Sequence, residues 1–173
     1  IYELFRNDYP IERMVLVDEY DAVDEASMRD NNSSSFNFRF ISHTTKVSKH
    51  GLGLAVDINT LYNPYTKMVD FGRLIEPLTG EPYLDRDADF DYKIEKGDLC
   101  YNLFVEHGFE WGGDWTDRKN YQNFELPTSI TSVYSGKQII KYRVVTPVFL
   151  SPTNVQLSFS FCCPINHPLS TNE

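Results

Sequence analysis

Ser48-Lys49-His50-Gly51-Leu52-Gly53-Leu54-Ala55-Val56-Asp57-Ile58-Asn59 is the stretch from which the rest of the chain is read. Its second half alternates, placing Leu54, Val56 and Ile58 on one face of a strand and Ala55, Asp57 and Asn59 on the other. An aspartate on so apolar a strand is expected to look out of the core, into solvent or into a site. His50 precedes it with the spacing His-x6-Asp, which would span roughly 23 Å if extended at about 3.3 Å per residue. Two ligands of one metal ion need donor atoms within about 3 to 3.5 Å of each other, since each bond is about 2.0 to 2.2 Å long. Gly51 and Gly53 permit the positive-φ turn that could fold His50 back over the strand. By itself the spacing is a weak signal, and a glycine-marked turn ahead of a strand explains most of it.

The bounds around this stretch are firm. A chain of 173 residues is long enough for one domain with a sizeable core. Its 41% hydrophobic and 14% aromatic content is that of a globular protein. A net charge of −9 argues against nucleic acid as a partner, because phosphates demand basic patches. No apolar run reaches the ~18 residues of a membrane span. The chain begins at Ile1 with no signal-peptide pattern, which leaves room for a preceding leader or opening strand and makes localisation illegible there. Cys100, Cys162 and Cys163 give no disulfide framework and no Cys-x-x-Cys, and Cys100 reads as a core residue.

Taken in order, residues 1–6 read as the end of an amphipathic helix stopped before Pro10, and 14–17 as a short strand. The acidic group Asp18, Glu19, Asp21, Asp24 and Glu25 reads as a solvated loop, with a helical turn over 25–29 and a loop at 31–35. Residues 36–43 alternate strongly: a strand is expected to pack Phe36, Phe38 and Phe40 on the core and to carry Arg39 on its opposite face, with His43 a surface or packing histidine. Residues 66–91 read as one long polar connection. Within it Asp85, Asp87, Asp89 and Asp91 imitate a calcium loop but lack its glycine, replaced by Phe90, and its final glutamate, replaced by Lys96. Residues 95–107 follow a helical period and stop at Gly108. Gly108-Phe-Glu-Trp-Gly-Gly-Asp-Trp115 is then a glycine-rich aromatic turn or a close backbone approach to a site.

Two of these stretches carry a resemblance. Ser48, His50, Gly53, Ala55 and Asp57 match Ser-x-His-x-x-Gly-x-Ala-x-Asp, the first zinc motif of the D-Ala-D-Ala carboxypeptidases and L-alanyl-D-glutamate endopeptidases that trim peptidoglycan. The stretch 108–115 resembles the Gly-Phe-x-Trp-Gly-Gly-x-Trp segment ahead of that family's second motif, Asp-x-x-His-Phe-Glu. At the second motif this chain reads Asn120-Tyr121-Gln122-Asn123-Phe124-Glu125. The register holds, and both chemical positions carry amides.

The resemblance covers residues 2–126 and implies an α+β domain of Hedgehog/D-Ala-D-Ala-peptidase type, an antiparallel sheet flanked by helices. Residues 1–126 are expected to form it, with 127–173 an extension of unknown role containing apolar stretches over 133–161. The resemblance also implies one zinc ion held by His50, Asp57 and the position of Asn123, an oxyanion-binding arginine at Arg39, and a general base at the position of Asn120. The implied partner is a peptidoglycan stem peptide, and the implied location is the cell envelope, periplasmic or secreted. Asn120 cannot accept a proton at neutral pH, and loss of a positioned acid–base group costs about 10²- to 10⁴-fold in rate. Asn123 offers a neutral carbonyl oxygen in place of imidazole nitrogen. Impaired hydrolysis, or a peptidoglycan-binding pseudo-peptidase, is therefore expected. His107, Asp117 and His167 are weak candidates for a replacement ligand.

Overall fold

In the computed structural model, which describes residues 1–41 and 44–127, the quoted stretch becomes a one-turn 3₁₀ segment, His50–Leu52, followed by strand β1, Ala55–Asp57. Gly53 closes the turn with φ of 67°, the left-handed conformation that favours glycine. His50 is thereby turned back over the strand, as expected of Gly53; Gly51 does not adopt a positive φ.

The other strands are β2 (Tyr65–Val69), β3 (Gly72–Glu76), β4 (Glu110–Trp111), β5 (Lys119–Asn120) and β6 (Asn123–Glu125). They form two three-stranded antiparallel sheets, one ordered β1-β6-β4 and one ordered β3-β2-β5. Among the described residues three short helices accompany them: α1 (Tyr2–Arg6), α2 (Asp24–Arg29) and α3 (Leu99–Glu106). The α+β class and the antiparallel pairing match expectation, but the single sheet is two smaller ones.

The register of the first sheet separates core from site. Val56 lies opposite Phe124, and Phe124 opposite Trp111; residues directly opposite share a face. That face meets α3, where Phe104 stacks on Phe124 with ring centroids 4.2 Å apart. Leu4, Ile58, Ile94 and the fully buried Cys100 complete the cluster, so the core reading of Cys100 holds. Trp111 is further pinned by its indole N–H, which donates to the Tyr121 carbonyl at 2.8 Å. The opposite face carries Ala55, Asp57, Asn123 and Glu125.

Several elements differ from the sequence reading, each for a physical reason. Residues 14–17 form no strand, because the Asn32 side chain satisfies the Val15 backbone: its Oδ1 accepts from the Val15 N–H at 2.8 Å and its Nδ2 donates to the Val15 carbonyl at 3.1 Å. The first half of the 31–35 loop is consequently buried, with Asn31, Asn32 and Ser33 each 2% exposed or less, whereas Ser35 is exposed. Residues 66–91 contain the β2–β3 hairpin and a 3₁₀ segment, Leu78–Leu84, in place of an unstructured connection. Helix α3 starts at Leu99, later than the periodicity suggested, because Asp98 caps it by accepting from the Tyr101 N–H at 2.7 Å.

The largest correction concerns 36–43. Phe36, Phe38 and Phe40 are 64%, 64% and 54% exposed, and the only ladder contact of that segment among the described residues is the bridge Phe40 to Val47. The alternation is real but inverted, because its polar side is the inner one: Asn37 is buried and donates to Asp24 Oδ1 at 3.0 Å, and Arg39 pairs with Asp24 Oδ2 at 2.9 Å. Asp24 therefore leaves the solvated acidic group to which its sequence context assigned it. The readings of His43, of His167 and of 133–161 lie outside the described residues.

Candidate metal centre

The pairing of β1 with β6 places Asp57 directly opposite Asn123, so their side chains emerge side by side on the face away from the core. The turn at Gly53 lowers His50 onto the same spot. His50 Nε2 lies 3.3 Å from Asp57 Oδ2 and 3.2 Å from Asn123 Oδ1. All three residues are buried, at 7%, 5% and 2% exposure. The three positions singled out in the sequence as ligands thus converge.

The hydrogen bonds around them fix which atoms face inward. His50 Nδ1 lies 3.0 Å from the Ser35 carbonyl, which can only accept, so Nδ1 carries a proton and donates. In the neutral ring Nε2 is then an acceptor. Ser35 is delivered by a bridge between Ser34 and Asp57 in which each backbone N–H donates to the other's carbonyl, at 2.9 and 2.7 Å. Asn123 Nδ2 donates to Glu125 Oε2 at 3.3 Å, and Lys49 Nζ donates to Glu125 Oε1 at 2.8 Å. This chain turns the amide oxygen of Asn123 toward His50. The Ser48 hydroxyl accepts from the His50 backbone N–H at 3.3 Å.

With the ring neutral, the result is an imidazole nitrogen, a carboxylate oxygen and an amide oxygen aimed at one another, all three acceptors; with the ring protonated, Nε2–H donates to Asp57 and Asn123 instead. Asp57 Oδ1 is also buried without a hydrogen-bond partner. Burial pushes the Asp57 carboxyl up to about 6, against the pull of His50; Asp24 raises it and Arg39 lowers it by smaller amounts. Converging buried acceptors are stable only around a positive centre, which is either the His50 imidazolium or a bound cation. The donor set and the Ser35 carbonyl behind the imidazole fit a divalent cation, since histidine ligands characteristically donate their other ring N–H to a carbonyl or carboxylate. The fit is weaker than a nitrogen-rich zinc site provides, because the third donor is a neutral oxygen. Among the described residues no three His, Cys, Asp or Glu side chains are grouped to hold an ion, and Asn123 is the reason at this spot.

The other two candidates are placed differently. Arg39 is tied to Asp24, as described, and its buried Nε has no partner; its charge is felt at Asp57. Asn120 lies on β5, in the second sheet, opposite Tyr65, and its buried Oδ1 is unpartnered. Gly112 packs against it so closely that a Cβ there would sit 2.5 Å from the Asn120 carbonyl oxygen. The glycine-rich turn is therefore a close approach to the backbone beside Asn120. His107 is exposed, with Nδ1 donating to the Leu103 carbonyl at 2.7 Å on its own helix, and Asp117 pairs with Arg118; neither joins the centre. Sequence reasoning missed Ser35, Asp24, Lys49 and Glu125. Only Glu125, inside the second motif, had a signal to find it by.

The fold is a small α+β domain that carries this cluster on the sheet face away from its core. Residues 42–126 match the family model described as D-alanyl-D-alanine carboxypeptidase, so this part of the chain is similar to that family. The match contains His50, Asp57, Asn120 and Asn123, whereas Arg39 precedes it. No curated protein and no solved structure matches the chain.

Proposed function

We propose that this chain acts on peptidoglycan stem peptides, at peptide bonds next to D-amino acids, through a zinc site weakened at its third ligand and lacking its general base. The observation that carries this reading is the convergence of His50 Nε2, Asp57 Oδ2 and Asn123 Oδ1 within 3.3 Å. His50, Asp57 and Asn123 would hold the ion. When bound, zinc supplies polarisation of the scissile carbonyl and a lowered pKa for its water.

The chain's own groups do the rest. Ser35 and Glu125 orient His50 and Asn123. Arg39, preset by Asp24, offers a planar guanidinium to a carbonyl oxygen gaining charge. Asn120, unable to take a proton, leaves the water without a base, so turnover is expected to fall by about 10²- to 10⁴-fold relative to an aspartate there. The Hedgehog-type arrangement, a domain spanning 1–126 with 127–173 as an extension, and a place in the cell envelope belong to the same reading.

A second reading, favoured by Asn120, is a binder of stem peptides that does not cut them. Asn120→Asp combined with Asn123→His separates the two. Hydrolysis of a D-alanyl-D-alanine-terminated stem peptide by the double variant, with slow cleavage by the parent, supports a weakened peptidase. Binding by the parent with no detectable cleavage supports the binder. Neither binding nor cleavage by either protein overturns both.

A further inference from the structure

Outside the centre at His50, the described residues line one open, solvent-facing cavity with a marked charge. It lies beside the β2–β3 hairpin, has a volume of about 320 Å³, and is lined by Arg73, Arg118 and Lys119 against a single carboxylate, Asp117. In a chain of net charge −9, the cations Arg73, Arg118 and Lys119 around one cavity stand against the general balance; Lys67, between Thr66 and Met68 on β2, turns its side chain to the opposite face. At about 30 Å³ per water, the space holds an ion or small organic anion together with part of its hydration.

The register shows how the sheet builds this wall. Thr66 pairs with Lys119, and Met68 with Arg73, so Arg73 and Lys119 stand on one face of the second sheet with Thr66 and Met68 between them. Lys119 Nζ donates one proton to the Gly113 carbonyl at 2.9 Å, which fixes the ammonium and leaves two further donors. Arg118 is held over the Trp115 ring at 4.5 Å and paired with Asp117. Among the described residues, Arg73 makes no ion pair, and the Thr66 and Thr116 hydroxyls lining the same cavity make no side-chain hydrogen bond. The lining is thus rich in donors, and its one carboxylate is already engaged.

We infer that this cavity is a binding site for an oxyanion, a phosphate or carboxylate group, with Arg73 and Lys119 as its principal contacts. A guanidinium and an ammonium on one rigid sheet face suit such a group, the first by its planar fork and the second as a point charge. The site shares no residue with the His50 centre and stands whether or not that centre cuts peptides.

The test is calorimetric titration of the full chain at low ionic strength with inorganic phosphate and, separately, with succinate, which distinguish the two oxyanions. At least one is expected to bind with a dissociation constant of about 1 mM or tighter and to weaken markedly in 0.5 M NaCl, because the groups are partly exposed and screened. Arg73→Ala, at an exposed position with no ion-pair partner among the described residues, is expected to weaken binding about tenfold or more without changing the melting temperature. Asp117→Asn is expected to tighten it by freeing Arg118. His50→Ala is expected to leave it unchanged. Binding of neither anion, indifference to both Arg73→Ala and Asp117→Asn, or loss of binding in His50→Ala, which would place the anion at the metal centre, would overturn the inference.

Discussion

Replacing Asn123 by histidine should turn a marginal cation site into a tight one, and the geometry allows the size of the change to be worked out. The two side chains share Cγ, so an imidazole Nδ1 lands close to where Asn123 Oδ1 now stands, 3.2 Å from His50 Nε2. The carbon that replaces Nδ2 then faces Glu125 and forfeits a 3.3 Å hydrogen bond. Without metal the variant should be less stable by about 1 kcal/mol. With metal the sign reverses. Loss of an outer partner of a ligand typically changes affinity about 10- to 100-fold, so converting a ligand from amide to imidazole should gain about 100-fold or more, equivalent to about 2.7 kcal/mol. At zinc concentrations near 100 times the variant's dissociation constant, linkage adds about 2.7 kcal/mol to its stability. For a chain of this length that raises its melting temperature by about 5–11 °C over its own metal-free form. Competition against a chromophoric chelator at neutral pH gives the affinities, and thermal melts with and without zinc give the linkage. An Asn123→His protein that folds but binds zinc within about threefold of the parent would refute the assignment of this position as a ligand.

Three further outcomes follow from other parts of the structure. Asp57 is raised from 3.8 to about 6 by burial, so the folded state holds its proton more tightly than the unfolded state. In the metal-free protein the stabilisation from that proton is complete below about pH 4 and is lost as pH rises through 6; Asp57→Asn should therefore melt progressively higher than the parent between pH 4 and pH 7, and a constant difference would contradict this. Arg86 donates to the carbonyls of Tyr62, Tyr83 and Ile94 and to Asn63 Oδ1, and its guanidinium lies 4.4 Å from the Tyr121 ring centre; Arg86→Ala should cost about 3 kcal/mol in urea unfolding, and a change under 1 kcal/mol would show the network to be dispensable. Gly112→Ala must push back the Asn120 backbone and should cost about 1–3 kcal/mol, with amide NMR shifts concentrated on residues 119–121.

What the sequence made legible follows from where the information was local. His50, Gly53 and Asp57 lie within one turn and one strand, so the closing of His50 onto Asp57 could be argued from spacing and glycine conformation. Asn123 and Asn120 were reached through the register of a motif, and the pairing of β1 with β6 explains why the former arrives beside Asp57. The inversion at Phe36, Phe38 and Phe40 was illegible because alternation gives two faces but not which one is buried, and that choice was made by Asp24, distant in sequence. The absence of a strand at 14–17 was equally hidden, since an asparagine side chain, Asn32, does the work of a neighbouring strand. Asn59 and Asn63 similarly bind irregular backbone at Pro10, Tyr92 and Ile94. Such side-chain substitutes for a ladder leave no periodic trace.

The most direct test of the proposed centre is zinc binding by the unaltered chain, measured as stoichiometry and affinity by chelator competition beside His50→Ala and Asp57→Asn. One equivalent bound by the parent, weakly enough to be removed by a modest chelator and abolished in both variants, is the predicted result. No binding by the parent at millimolar zinc, or binding that survives both substitutions, would contradict a metal centre at His50, Asp57 and Asn123.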